Sequence, residues 1–363
     1  MKALFDIRCL GQPTTGIQVV AENLLAELAS WADGFELALL ASEVSRERLR
    51  DFPGEVLWSE IGPYDFRRQK PVAQQINASG CDLFLSPTYF IPYGVKKPYI
   101  MMVHDLIPRK VWLGRSSLYV RLFLGGRIRR ALAVWTVSEY SRREILALYS
   151  RMDGSVHVVP SGFSSERSAS SGMAEPRSLL LFASRFRHKN VEFALRVFRL
   201  LQESSGNVWR LHVIGNAAHL PGVSGLPGIE LHGRVSDEAL NQVYGRTWGV
   251  LLPSIEEGFS LPLLEGMAHG GLVFYHRDTA MREIAGDGAI GLDLSSPERW
   301  AREILRFSGD RPLAEEQRAA AKRRATHFSR DRFSRAVRVS WRDSLERLPD
   351  EADCTHPIAL PSA

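Results

Sequence analysis

The order of apolar and amphipathic segments predicts an α/β protein of two Rossmann-like domains, each built on a parallel sheet, facing one another across a cleft. Three observations carry this. Short apolar strands alternate with stretches of helical periodicity along most of the chain. One stretch rich in Ser, Gly and charge, Ser161–Ser178, breaks the alternation near the middle. A length of 363 residues accommodates two domains of ordinary size. The boundaries read as 1–165 for an N-terminal domain, 166–177 for a linker, 178–328 for a C-terminal domain, 329–348 for a final helix, and 349–363 for a polar, Pro-containing tail expected to be disordered.

Lys2-Ala3-Leu4-Phe5-Asp6 is the first strand, and a Gly/Pro/Thr loop follows it to Gly16. From Gln18 to Trp31, Val19, Leu24, Leu25 and Leu28 fall within reach of one helical face. Apolar runs at Glu36–Ala41, Leu83–Ser86, Tyr99–Val103 and Ala133–Val137 read as further strands, with helices at Ser117–Leu132 and Glu139–Tyr149. After the break the pattern resumes. Strands are predicted at Ser178–Ala183, Trp209–Ile214, Ile229–His232, Gly249–Leu252 and Leu272–Tyr275. The matching helices are Val191–Glu203, Asp237–Tyr244, Leu261–His269, Pro297–Phe307 and Arg332–Leu348.

The net charge is +5 and the pI about 9.2. With 45% hydrophobic and 24% charged residues the chain has the balance of a soluble globular protein. No apolar stretch approaches the roughly 20 residues that span a bilayer. Lys2, Asp6 and Arg8 put charge inside any signal-peptide core, so a cytoplasmic location is expected. Cys9, Cys81 and Cys354 lie far apart, suit a reducing compartment, and form neither a CxxC nor a zinc-type cluster. Asn77-Ala78-Ser79 matches a glycosylation acceptor, which means nothing without secretion. The cations Arg109, Lys110, Arg115, Arg121, Arg127, Arg129 and Arg130 occur with no acid among them, interleaved with Trp112, Leu118, Tyr119, Leu122, Phe123 and Leu124. Such a segment suits peripheral contact with the inner face of a membrane or with a lipid phosphate. It suits equally a helix with a core face and a solvated basic face. No binding motif accompanies the charge, so nucleic acid is not indicated.

The densest chemistry lies in Glu257-Gly258-Phe259-Ser260-Leu261-Pro262-Leu263-Leu264-Glu265-Gly266-Met267-Ala268. Trp248–Ser254 reads as a buried strand stopped by Pro253, and Pro262 suits a helix start. The backbone N–H groups of Gly258, Phe259, Ser260 and Leu261 would then point out of a helix end whose dipole favours an anion. Glu257 lies beside that site, and Glu265 follows in the first turns. Carboxylates accept hydrogen bonds from sugar and ribose hydroxyls, so a phosphate flanked by hydroxyl-rich groups is the natural guest. Two glutamates on a plain capped helix would merely be solvated; the Gly-Phe-Ser-Leu-Pro between them favours a binding site.

Other residues fit the same guest. Arg185 and Lys189 follow the first strand of the second half, where cations meet a diphosphate at the C-terminal edge of a sheet. His104 ends the strand Met101-Met102-Val103, a place where a lone His is more often structural. Gly16, in Thr14-Thr15-Gly16-Ile17, would let the backbone approach a phosphate closely. Ile17 stands where a P-loop needs Lys, and Val213-Ile214-Gly215-Asn216 has one glycine where a nicotinamide fingerprint needs more. No Asp-x-Asp metal motif occurs.

Glu, seven residues and Glu, with Gly-Phe after the first, resembles the signature of the retaining GT-B glycosyltransferases of family 4. Arg185…Lys189-Asn190 resembles that family's Arg…Lys-Asn element at a shorter spacing, and His104-Asp105 its His-Asp. Thr136–Ser141, Val159–Gly162 (with Ser161 where the family commonly has Asn), Gly233–Ser236, Arg282–Asp287 and Phe328–Arg332 are further echoes. The resemblance covers nearly the whole chain. It implies the GT-B fold, with the last helix crossing back to the first domain, which takes the acceptor. It implies that Glu257 holds donor-sugar hydroxyls, Glu265 ribose hydroxyls, and Lys189 with Arg185 the diphosphate, Arg187 being the substitute for Arg185. Val235 would face the nucleobase, Gly16 the donor phosphates, and His104 the transferring sugar, with Asp105 holding the loop or the His tautomer. No metal and no cofactor beyond the nucleotide-sugar substrate are implied, and attack by the acceptor hydroxyl comes from the front face, assisted by the leaving phosphate.

The combination of His-Asp, Val-Ser-Glu-Tyr-Ser and Gly-Phe-Ser resembles bacterial mannosyl- and deoxymannosyltransferases of surface polysaccharide assembly, including lipopolysaccharide O-antigen, capsule and exopolysaccharide. GDP-mannose or a related GDP-sugar is the implied donor, with a UDP-sugar or dTDP-rhamnose left open. The implied acceptor is a polyprenyl-diphosphate-linked glycan, which the Arg109–Arg130 segment would meet. Two rival classes share the fold, a sugar-nucleotide epimerase or hydrolase and a non-catalytic sugar-nucleotide-binding partner of an assembly complex.

Overall fold

The computed structural model describes residues 1–10, 16–31, 35–65, 67–107, 124–152, 154–162, 175–216, 218 and 226–348. The N-terminal half runs β1 (Lys2–Asp6), α1 (Gly16–Ala29), β2 (Glu36–Ser42), β3 (Val56–Ser59), α2 (Gln69–Ala78), β4 (Leu83–Ser86), β5 (Tyr99–Met102), β6 (Ala133–Thr136), α3 (Glu139–Leu148) and β7 (Val156–Val158). The C-terminal half runs β8 (Glu175–Phe182), α4 (Val191–Ser205), β9 (Arg210–Ile214), β10 (Ile229–Gly233), α5 (Asp237–Arg246), β11 (Thr247–Leu252), α6 (Leu261–Ala268), β12 (Leu272–His276), α7 (Met281–Ala285), β13 (Ile290–Leu292), α8 (Pro297–Gly309), α9 (Arg311–Ala325) and α10 (Arg330–Leu345).

The strands form two sheets, seven-stranded in the order β3-β2-β1-β4-β5-β6-β7 and six-stranded in the order β10-β9-β8-β11-β12-β13. Every described strand pair is parallel. Central strands such as β4 and β6 are buried along their whole length, as a parallel sheet covered on both faces demands. Strand order reverses between β1 and β4 and between β8 and β11. Crevices at the C-terminal ends of strands form at such reversals, and ligands bind there.

One apolar cluster fills the outer face of the first sheet, with Leu4, Leu40, Phe84 and Val134, and another that of the second, with Leu181, Val213, Phe274 and Trp300. A third is continuous across both domains, from Phe5, Leu85 and Trp135 to Val250, Phe259 and Leu264. The last helix closes this middle layer. Trp341 of α10 meets Trp31 at 5.7 Å and Phe35 at 5.0 Å between ring centroids, and the Trp135 Nε1 donates to Ser344 Oγ at 3.2 Å. The charges near the N-terminus have a structural use. Arg8 is fully buried, donates from Nε and Nη2 to the Asp6 carboxylate at 2.9 and 2.7 Å, and donates from Nη1 to the Ile61 carbonyl at 3.1 Å. A buried charge survives only when paired and hydrogen-bonded in this way.

Several elements differ from the sequence expectation. Strand β8 starts at Glu175, taking in the end of the expected linker; the rest of that segment after Gly162 lies outside the described residues. Its first residues bulge: the register moves from Thr247 beside Glu175 to Gly249 beside Leu179, Arg177 takes φ 58°, and Trp248 N donates to Ser178 Oγ at 3.0 Å. Strands β3, β7 and β13 and helices α2 and α9 have no predicted counterpart. The expected helix Ser117–Leu132 is described only from Leu124, is helical to Ile128, and turns at Arg129 and Arg130. Of the basic segment, residues 109–123 lie outside the description, as does the 349–363 tail. Arg127 is a structural clamp, its Nε donating to the Ile91 carbonyl at 2.6 Å. No helix among the described residues is long and apolar enough to cross a membrane.

Candidate active site

The loop after β11 and the loop after β8 meet at the strand-order reversal of the second sheet. Three contacts tie them: Ile255 N to the His188 carbonyl at 2.7 Å, Asn190 Nδ2 to the Pro253 carbonyl at 3.2 Å, and Lys189 Nζ to Glu257 Oε1 at 2.6 Å. Asn190 makes this possible by taking a left-handed conformation (φ 50°) between the short turn Arg187–Lys189 and α4. Glu257 is 7% exposed and Glu256 9%, so the ion pair sits in a partly dry pocket where charge acts strongly.

Helix α6 begins as the motif predicts, with Pro262 in its first turn. Its N-cap, Ser260, is left-handed at φ 76°, a conformation that costs a non-glycine residue about 1–3 kcal/mol. The Ser260 side chain accepts no capping bond, and its buried Oγ has no partner. Among the described residues, no acceptor meets the N–H groups of Gly258, Phe259, Ser260 or Leu261. A helix start with N–H groups free to receive an anion is thus held in a strained form, the kind of strain that clusters at ligand sites. The Phe259 ring itself is buried and packs edge-on against Phe328 at 5.7 Å, so only its backbone faces the site.

The first domain supplies the opposite wall. The His104 ring follows β5, and its Nε2 lies 2.8 Å from the Pro87 carbonyl. A carbonyl can only accept, so Nε2 carries the proton and Nδ1 keeps its lone pair. Burial lowers the His104 pKa, partly offset by the Pro87 carbonyl, which keeps the ring neutral at pH 7. The Gly258 carbonyl accepts from Ser138 Oγ at 2.8 Å, and the His104 carbonyl from Ser141 Oγ at 3.1 Å. A β-carbon on Gly258 would overlap the His104 carbonyl oxygen and lie 3.0 Å from Asp105 Cβ. Glycine is therefore the residue this approach of two backbones admits. Gly16, first residue of α1, also reaches the site: a β-carbon there would stand 3.8 Å from Leu261 Cδ1.

A second inter-domain clasp is not legible in the sequence. The Glu283 carboxylate, on α7, accepts from Glu139 N at 2.9 Å and Tyr140 N at 2.8 Å, capping α3 of the other domain. In the sequence Glu283 reads only as part of a helix end. Glu265 is oriented by Tyr244, whose Oη donates to its Oε2 at 2.8 Å and whose ring stacks on His269 at 5.1 Å; no motif points to Tyr244. Val235 lies half-buried after β10, at the same edge of the sheet. Arg185 and Arg187 are both exposed, Arg185 lying 5.2 Å over the Phe186 ring. Lys189 alone of the three cations is paired with Glu257.

Asp105 is the titrating group of the cleft. Burial, and then the nearby Glu257 carboxylate, push its pKa up to about 6, against the opposing Ile107 N–H and Lys189. A carboxyl that binds its proton more tightly folded than unfolded contributes stability that is full below the unfolded value of 3.8 and is lost as pH rises through about 6. Asp105→Asn is therefore expected to gain on wild type by about 1–3 kcal/mol in unfolding free energy between pH 4 and pH 8. Urea titrations at both pH values measure this, and a difference that does not change with pH would refute it.

Known proteins share this architecture. The profile of the family described as Glycosyltransferase Family 4 matches residues 14–167, and that of Glycosyl transferases group 1 matches residues 164–324. Two parallel sheets meeting at a cleft are the GT-B fold, and successive halves of the chain match these two models of glycosyltransferase domains, neither of which alone spans half of it. It is 32% identical over 97 residues to the O-antigen chain mannosyltransferase B of Escherichia coli, a match that spans 27% of this chain and 26% of that protein. Its fold is similar to Anabaena Alr3699/HepE in complex with UDP and glucose (TM-score 0.72, 16% identity, covering 94% of this chain and 99% of the other). It is similar also to the sucrose-phosphate synthase of Thermosynechococcus elongatus (TM-score 0.73, 13% identity, 95% and 99% covered).

Proposed function

We propose that the protein is a retaining glycosyltransferase that moves a hexose, mannose or a deoxymannose, from a nucleotide diphosphate sugar to a lipid-linked glycan in surface polysaccharide assembly. GDP-mannose is the favoured donor. The observation that carries the reading is the convergence of Lys189, Glu257 and the unpaired N–H groups of α6 beneath His104 of the other domain. The partial likeness to an O-antigen chain mannosyltransferase supports the choice of sugar.

In this reading the donor diphosphate lies between Lys189 and the start of α6, with Arg185 or Arg187 closing over it. These groups stabilise the charge that builds on the departing phosphate, the main source of rate enhancement in such a reaction. Glu257 accepts from the sugar hydroxyls and Glu265, steadied by Tyr244, from the ribose. The nucleobase rests near Val235 and the donor phosphates near Gly16. The Nδ1 lone pair of neutral His104 accepts a hydroxyl of the transferring sugar, and closure of the two domains excludes water. No metal enters this scheme, because cationic side chains and oriented N–H groups carry the phosphate charge.

Saturation-transfer NMR against GDP-mannose, UDP-glucose, UDP-N-acetylglucosamine and dTDP-rhamnose tests it. Selective contact with GDP-mannose is expected, followed by transfer to a polyprenyl-diphosphate glycan. Contact with a UDP-sugar alone would replace the donor. Turnover without acceptor would mark a hydrolase or epimerase, and binding without turnover a non-catalytic partner. Lys189→Ala is expected to weaken donor binding by roughly ten- to a hundredfold, as loss of a charged hydrogen bond does, and to slow transfer as well. Undiminished donor affinity in a calorimetric titration would remove Lys189 from the site.

A further inference from the structure

At the edge of the second sheet, β9 and β10 bring together three side chains that the donor site does not use. Glu230 of β10 stands in register beside His212 of β9, and His232 follows next to a register shift between Leu231 and Gly233. His212 Nδ1 lies 3.0 Å from His232 Nε2 and 3.4 Å from Glu230 Oε2, and the other carboxylate oxygen of Glu230 lies 3.6 Å from His232 Nε2. All the donor atoms fall within 4.8 Å of one another. On the far side of the His212 ring, the buried Nε2 makes no hydrogen bond and faces Glu175 Oε2 at 3.8 Å.

We propose that His212, His232 and Glu230 bind a divalent transition-metal ion of the Zn²⁺ type, which staples the edge strand β10 to β9. Two imidazoles and a carboxylate form a known ligand set for such ions, with the fourth position left to water. Metal–nitrogen bonds of about 2.0–2.1 Å in a tetrahedral site set two ligand nitrogens about 3.3 Å apart. The His212–His232 pair needs to open by only a few tenths of an ångström. Glu175 stands where a carboxylate behind a ligating His is commonly found, and acts as a positioning residue.

The placement of the two rings suits this. With the His212 proton on Nε2, toward Glu175, Nδ1 offers a lone pair. The neighbouring cation Arg246 is engaged by Glu175 at 2.5 and 3.0 Å, and Arg210 lies 3.9 Å from the same carboxylate, which leaves Glu230 to face the ion. Among the described residues strand β10 has one neighbour; it is five residues long and exposes Glu230 and Leu231, so a staple there has something to hold.

The test uses untagged full-length protein stripped with a chelator and titrated with ZnCl₂ in a calorimeter. Wild type is expected to bind one equivalent, and His232→Ala and Glu230→Gln to bind at least about tenfold more weakly. Glu175→Gln should weaken binding by a similar factor without changing the stoichiometry. Co²⁺ should give the visible bands of a tetrahedral site in wild type and not in His232→Ala. Both ligand replacements lie at an exposed sheet edge, and circular dichroism checks that they remain folded. No uptake by wild type, or equal affinity in wild type and His232→Ala, overturns the site. Donor binding is measured separately, and neither result bears on the other.

Discussion

Glu257→Ala should lower sugar transfer by at least about a hundredfold while leaving nucleotide binding mostly intact. Glu257 faces two ways. Its Oε1 holds Lys189 at 2.6 Å, and in the proposed complex its carboxylate accepts from hydroxyls of the sugar, the part of the donor that changes charge and shape in the transition state. Removing it takes away contacts that strengthen as the glycosidic bond breaks, so the loss appears in kcat more than in KM. In the proposed complex the nucleotide is held by the α6 N–H groups, Glu265 and Lys189, which all remain. Glu257→Gln keeps the size and one acceptor but loses the charge, and separates the hydrogen bond to sugar from the pairing with Lys189. Radiolabelled transfer with parallel calorimetry of the nucleotide decides the matter. Equal turnover of wild type and Glu257→Ala would sink the assignment.

Gly258→Ala is expected to cost about as much, by another route. The added carbon overlaps the His104 carbonyl oxygen and stands 2.9 Å from its carbon, and both are backbone atoms that cannot rotate away. The two walls of the cleft must then part by roughly an ångström, and a misplacement of that size costs on the order of 10² in rate. Nucleotide binding to the second domain should persist. X-ray scattering should report a larger radius of gyration for the variant with nucleotide than for wild type. Unchanged dimensions with unchanged transfer would show that the contact is not needed.

Much of the fold and of the site is legible in the sequence, for identifiable reasons. Apolar runs such as Leu83–Ser86 and Ala133–Val137 lie in sheets covered on both faces, where burial leaves a strong signal. The Glu257–Ala268 run states its own geometry, because Pro262 marks a helix start and the residues before it a loop. What escapes is either short or assembled at a distance. Strands β7 and β13 have three residues each, too few for a period. The caps and clasps, Glu283 on α3 and Tyr244 on Glu265, join residues far apart in the chain. The trio of His212, Glu230 and His232 escapes the expectation that no zinc-type cluster is present. That expectation rests on spacing along the chain, whereas parallel register across two strands brings these side chains together.

The carboxylate of Glu283 has a consequence for timing. The two backbone N–H groups it engages belong to the other domain, and all three groups hydrate readily when the cleft opens, so the clasp is worth only about 1–3 kcal/mol. A fastening of that strength closes and releases quickly on the scale of a catalytic cycle. In the proposed cycle the dwell time of the closed form can therefore be tuned by substitutions at Glu283, a residue given no contact with the donor in that scheme.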